Sequence, residues 1–110
     1  MQTFMLKRGD TSPAIKYSLQ PARVINLVGA SVRFQMRAAR GDTIIDAPAD
    51  VISEDPPVVG YSWQAGDTDE AGRYEAEFRV ENLDGTIETF PNKDFIEVNI
   101  NPDIPDLETT

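Results

Sequence analysis

The sequence predicts an all-β fold, a two-sheet sandwich of about seven to eight strands closed without a disulfide. Three observations carry this reading. Apolar and polar residues alternate with a period of two along almost the whole chain, as strands with one buried and one wet face require. Turn residues (Gly, Asp, Asn and Pro) separate these runs at roughly 10-residue spacing, the pattern of a sandwich or barrel. The run Glu70-Ala71-Gly72-Arg73-Tyr74-Glu75-Ala76 reads as a tyrosine corner. In that device a Tyr opening a strand enters the core, and its hydroxyl bonds back to the turn backbone. Two residues after Tyr74, where antibody domains carry Cys, stands Ala76. The predicted sandwich is therefore immunoglobulin-like.

The strands follow in order from the alternation. Phe4 and Leu6 alternate with Met5 and Lys7, and Ile15, Tyr17 and Leu19 with Lys16 and Ser18. Val32, Phe34 and Met36 alternate with Arg33, Gln35 and Arg37. Ile45 to Val51 forms a run that contains Pro48; proline cannot donate to a ladder, so that strand is expected at an edge or with a bulge, a protected edge. Val59, Tyr61 and Trp63 form one inward set. Tyr74, Ala76, Phe78 and Val80 form another, and Ile96, Val98 and Ile100 a third. Asn82-Leu83-Asp84-Gly85 lies between two runs and reads as a hairpin. Pro91-Asn92 suggests a bulge or break in the last strand. Asp67 to Gly72 has room for one short helical turn, with Thr68 and Glu70 suited to its start. Residues 1–101 are read as the sandwich and 102–110 as a flexible, acidic, Pro-containing tail.

Length and charge narrow the possible functions. At 110 residues the chain is one domain, burying roughly 65% of its unfolded surface. It holds 19 Asp and Glu against 10 Lys and Arg, a net charge of −9. That balance argues against nucleic acid and membrane surfaces as partners, because both call for a cationic face. Cys and His are both absent. Their absence removes the usual zinc sites, Cys and Ser-His nucleophile systems, and the ordinary proton shuttle at neutral pH. No apolar run is long enough to span a membrane, and Met1 to Lys7 lacks a signal-peptide pattern. Synthesis in a cytoplasm is the expectation.

The remaining chemical candidates have plain structural readings. Arg8-Gly9-Asp10 spells the integrin-binding tripeptide, but Gly-Asp is ordinary turn chemistry. Gly-Asp-Thr recurs at Gly9, Gly41 and Gly66 with unequal spacing and unmatched flanks, so recurring turns explain it better than a repeat. Asp67, Asp69 and Glu70 share a loop without the spacing of a calcium loop. Glu75, Glu77, Asp84, Glu88 and Glu97 could supply an acid and a base, but most fall on outward positions near Arg33, Arg37 and Arg79. Trp63 and Tyr61 could form a sugar-stacking platform; alternation instead places both inward with Val59. Catalytic, metal and cofactor-binding residues are therefore expected to be none. The residues singled out are structural: Glu70, Gly72 and Tyr74 at the corner, with Trp63, Phe34 and Phe78 in the core.

Several segments, taken together, resemble a family of phage and prophage tail proteins, the N-terminal immunoglobulin-like domain of the phage baseplate upper protein. They are Phe4 to Pro13 with Lys7-Arg8-Gly9-Asp10-Thr11, Val24 to Arg37, Tyr61 to Phe78, and Gly85 to Pro91, covering roughly residues 4 to 100. Their order and spacing carry the resemblance more than any one piece. It implies a non-catalytic virion structural module of the tail or baseplate, made in the bacterial cytoplasm and acting through contacts with other phage tail and baseplate proteins, with a homo-oligomer also compatible. In that family the domain attaches receptor-binding machinery; standing alone it would suit a tail accessory, a head decoration protein or a prophage remnant. The alternative is a carbohydrate- or surface-binding adhesion module on the same fold. A carboxylate-dependent hydrolase is the third reading.

Overall fold

The computed structural model of the chain describes residues 2–19, 27–39 and 41–102. The expected tail from 103 onward and the stretch 20–26 lie outside the described residues. Nine strands form two sheets, and no helix is present among the described residues. The strands are β1 (Thr3–Lys7), β2 (Ile15–Ser18), β3 (Ser31–Ala38), β4 (Thr43–Pro48), β5 (Asp50–Glu54), β6 (Pro57–Tyr61), β7 (Gly72–Glu81), β8 (Ile87–Phe90) and β9 (Ile96–Asn101).

The larger sheet runs β1-β9-β7-β3-β4, with β8 also on β7; the smaller runs β2-β6-β5. This is an immunoglobulin-like sandwich. All pairs are antiparallel except β1 on β9.

Two local breaks raise the strand count above the seven or eight expected. The first is Pro48. The run Ile45 to Val51 is two strands, because the chain crosses from one sheet to the other after Pro48. β4 is an edge of the large sheet and β5 an edge of the small one, so Pro48, opposite Arg33, leaves no inner ladder without a donor. The second break is Pro91. Phe90 pairs with Phe78 and Ile96 with Ala76, so β8 and β9 follow the same side of β7 with residues 91–95 looped out opposite Glu77. The Asn82–Gly85 turn joins β7 and β8 as a hairpin, closed by Asn82 N–H to the Thr86 carbonyl at 2.8 Å.

The core lies between the sheets and is centred on aromatic rings. Phe34 and Phe78 are wholly buried, with centroids 5.1 Å apart. Phe34 stacks on Tyr61 at 4.6 Å and meets the edge of Trp63 at 5.6 Å. Ala76, two residues after Tyr74 on β7, is buried at 1% exposure where antibody domains carry a disulfide Cys. Burying each such ring is worth roughly 1.5–3 kcal/mol. β6 ends at Tyr61, yet Trp63 remains buried beyond it. Its indole N–H has no acceptor among the described residues, a cost of about 1–3 kcal/mol set against its apolar burial.

Candidate interaction surface

The loop from Ser62 to Ala71 is built from turns; the short helical turn expected there is absent. Gln64 and Gly66 carbonyls accept from the Asp67 and Asp69 amides, each three residues on, and the bonds do not continue into a helix. Side chains take over instead. The Asp67 carboxylate accepts from the Tyr61 hydroxyl at 2.5 Å and from the Gln64 amide at 2.8 Å. Burial, then Asp67, raises the Tyr61 phenol well above its ordinary value. Thr68 does not start a helix; it is buried at 1% exposure, and its hydroxyl donates to the Asp10 carbonyl at 2.8 Å. The Gly9 amide donates to the Thr68 carbonyl at 2.9 Å, so the loop is tied to the turn after β1. Arg8-Gly9-Asp10 is accordingly part of that turn, with Asp10 N–H on the Lys7 carbonyl.

The Tyr74 ring lies over Gly72, and its hydroxyl bonds the Glu70 carbonyl. The Glu70 side chain is exposed and contributes through its backbone. The six structural residues expected from sequence thus fall in two joined groups: Glu70, Gly72 and Tyr74 close one end, and Trp63, Phe34 and Phe78 fill the centre.

The carboxylates do not assemble into an acid–base cleft among the described residues. Glu75 and Glu97 stand opposite each other on β7 and β9. Like charges so placed repel, and arginines offset them: Arg37 reaches Glu75 at 2.7 Å and Arg73 reaches Glu97 at 3.0 Å. Arg33 pairs with Asp46 across β3 and β4 at 2.7 Å. The Arg33 guanidinium bonded to Asp46 holds that carboxyl below its ordinary value. These exposed pairs add little stability and pattern the outer face. Asp84 accepts from Thr86 within the hairpin, and Glu88 faces inward opposite Val80, taking a bond from Asn92 at 3.1 Å. No group of three His, Cys, Asp or Glu suited to a metal ion occurs among the described residues. Tyr61 and Trp63 are buried at 5% and 4% exposure, so they offer sugars no stacking platform.

Alternation alone does not reveal a groove between β2 and residues 91–95. It measures about 480 Å³ and is lined by Lys16, Tyr17 and Ser18 on one wall and by Lys93, Asp94 and Phe95 on the other. The chain has three lysines, and two of them meet here. The only sequence signal was their scarcity against 19 acids. A second hollow of about 320 Å³, over β3 and β7, shares Asp94 and Phe95 and is lined by Arg37, Glu75 and Glu77.

No known protein family and no curated protein matches the sequence. Among solved structures, the crystal structure of CopC from Methylosinus trichosporium OB3b is similar, with a TM-score of 0.54 and 15% identity, over 94% of this chain and 88% of that one. At that identity the likeness carries the β-sandwich fold and stops there.

Proposed function

We propose that this chain is a non-catalytic structural module of a phage virion, a tail or baseplate component that acts through protein–protein contacts after synthesis in the bacterial cytoplasm. The observation that supports this most is where its ordered motifs are used. Lys7 to Asp10, the Tyr61 to Tyr74 segment and the Asn82 to Thr86 hairpin hold the frame together by the bonds described above. What remains on the outside is a face of ion pairs, sheet edges and open grooves, the features of a contact module. The net charge of −9 directs the partner choice toward protein surfaces rather than nucleic acid or anionic lipid.

The test is association of the purified chain with the tail and baseplate proteins encoded beside its own reading frame, read by co-sedimentation. Complex formation with one of them supports the reading. Association with none, or a neighbourhood of metabolic or secretion genes, overturns it.

A further inference from the structure

We propose that the free edge of β2 takes up an extended, acidic segment of a partner chain, which pairs with it as an added strand. The proposal rests on the reading above that the chain works through protein contacts, and it specifies which edge and what chemistry.

The backbone supplies the first argument. β2 has one neighbour, β6. The Leu19 amide donates to the Pro57 carbonyl at 2.9 Å, and the register continues as Tyr17 opposite Val59 and Ile15 opposite Tyr61. In an antiparallel ladder the bonded pairs alternate. Ile15 and Tyr17 therefore bond toward β6, while Lys16 and Ser18 direct their N–H and C=O groups to the open side. Among the described residues nothing answers them. The cause lies in β1. It pairs in parallel with β9 on the other sheet, so the N-terminal segment does not cover β2. Two other edges are blunted: β4 ends in Pro48, and β5 carries a register shift between Val51 and Ser53. β2 shows no proline or shift between Ile15 and Ser18.

Charge supplies the second argument and selects the occupant. The groove of about 480 Å³ runs along this edge, wide enough for a chain segment. Lys16 and Lys93 line opposite walls, both exposed and neither in an ion pair among the described residues. Asp94 is the acidic group on the lining, so the groove keeps a positive balance on a chain of net charge −9. An acidic segment is repelled by the rest of the surface and attracted here, which fixes its position. Main-chain bonds to Lys16 and Ser18 would supply the register, and alternate carboxylates would meet the two ammonium groups.

The full chain, labelled with nitrogen-15, can be titrated by NMR with a peptide of alternating valine and glutamate at millimolar concentration. The expected result is shifts at Lys16, Ser18 and residues 91–95, with slowed amide exchange at Lys16 and Ser18. The double variant Lys16→Glu, Lys93→Glu, exposed at both sites and checked by an otherwise unchanged spectrum, should bind about tenfold more weakly. The same peptide N-methylated at alternate residues should not bind. Absent shifts, shifts elsewhere, undiminished binding of the N-methylated peptide, or equal binding of a valine–lysine peptide would each overturn the proposal. Peptide binding here without association to any tail protein would overturn the virion reading and leave strand addition standing; the converse result would do the reverse.

Discussion

The Tyr74 hydroxyl donates a 2.7 Å hydrogen bond to the carbonyl of Glu70, four residues upstream. The bond spans the turn that opens β7, and the ring beneath it is 6% exposed. Tyr74→Phe keeps the ring and removes the donor to the Glu70 carbonyl. The expected loss is about 1–3 kcal/mol in denaturant unfolding. A loss near zero would show that the bond does not hold the corner.

Gly72 has φ of 155°, and a Cβ built there lies 3.7 Å from the Tyr74 ring and hydroxyl. The space is adequate, but the backbone angle is one that side chains resist. Gly72→Ala should therefore cost about 1–3 kcal/mol through the backbone alone. Because the ring is not displaced, the Tyr74 ring-proton NMR shifts of the folded variant should match those of the parent. An unchanged melting temperature would contradict this.

Thr68 places a buried hydroxyl on the Asp10 carbonyl, far away in sequence. Thr68→Val keeps the volume and loses the bond, at an expected cost of about 1–3 kcal/mol. Amide exchange should quicken at Gly9, which bonds the Thr68 carbonyl. If Gly9 stays as protected as before, the two loops are joined by other means.

Alkaline pH should weaken the fold. Burial raises the phenols of Tyr17, Tyr61 and Tyr74 above the ordinary 10.0, with the Glu70 charge adding at Tyr74 and Asp67 at Tyr61. Above pH 10.0 the folded chain keeps protons that the unfolded chain releases. Stability from these groups is thus complete below that pH and declines as pH rises through the folded values. Phenolate absorbance should appear together with loss of tertiary signal. Titration of all three near their ordinary value with the fold intact would refute it.

Much of this frame was readable from residue order. Alternation identified the inward faces of β3, β7 and β9, and Pro48 located an edge, because a missing donor has few places to go. The Glu70 to Tyr74 segment announced its own geometry, since the bond is local. Long-range arrangement was less legible. Nothing in Phe4 and Leu6 tells a parallel partner from an antiparallel one, and the period cannot show that Trp63 stays buried after its strand has ended. Asp67 to Gly72 had suitable residues for a helical turn, but tertiary bonds from Tyr61 and Asp10 captured its side chains. The groove was hidden for the same reason: Lys16 and Lys93 meet only because residues 91–95 loop out of the ladder.

The parallel pairing of β1 and β9 has a mechanical consequence. Thr3 lies opposite Glu97 and Lys7 opposite Asn101, so the chain arrives at one end of this pair and departs at the other. Tension along the polypeptide pulls the two strands past each other lengthwise. Their hydrogen bonds are then strained together instead of peeling open one by one. The domain should resist stretching along its own chain direction and yield in a single high-force rupture in an optical trap. Stepwise opening at low force would mean that another pair gives way first.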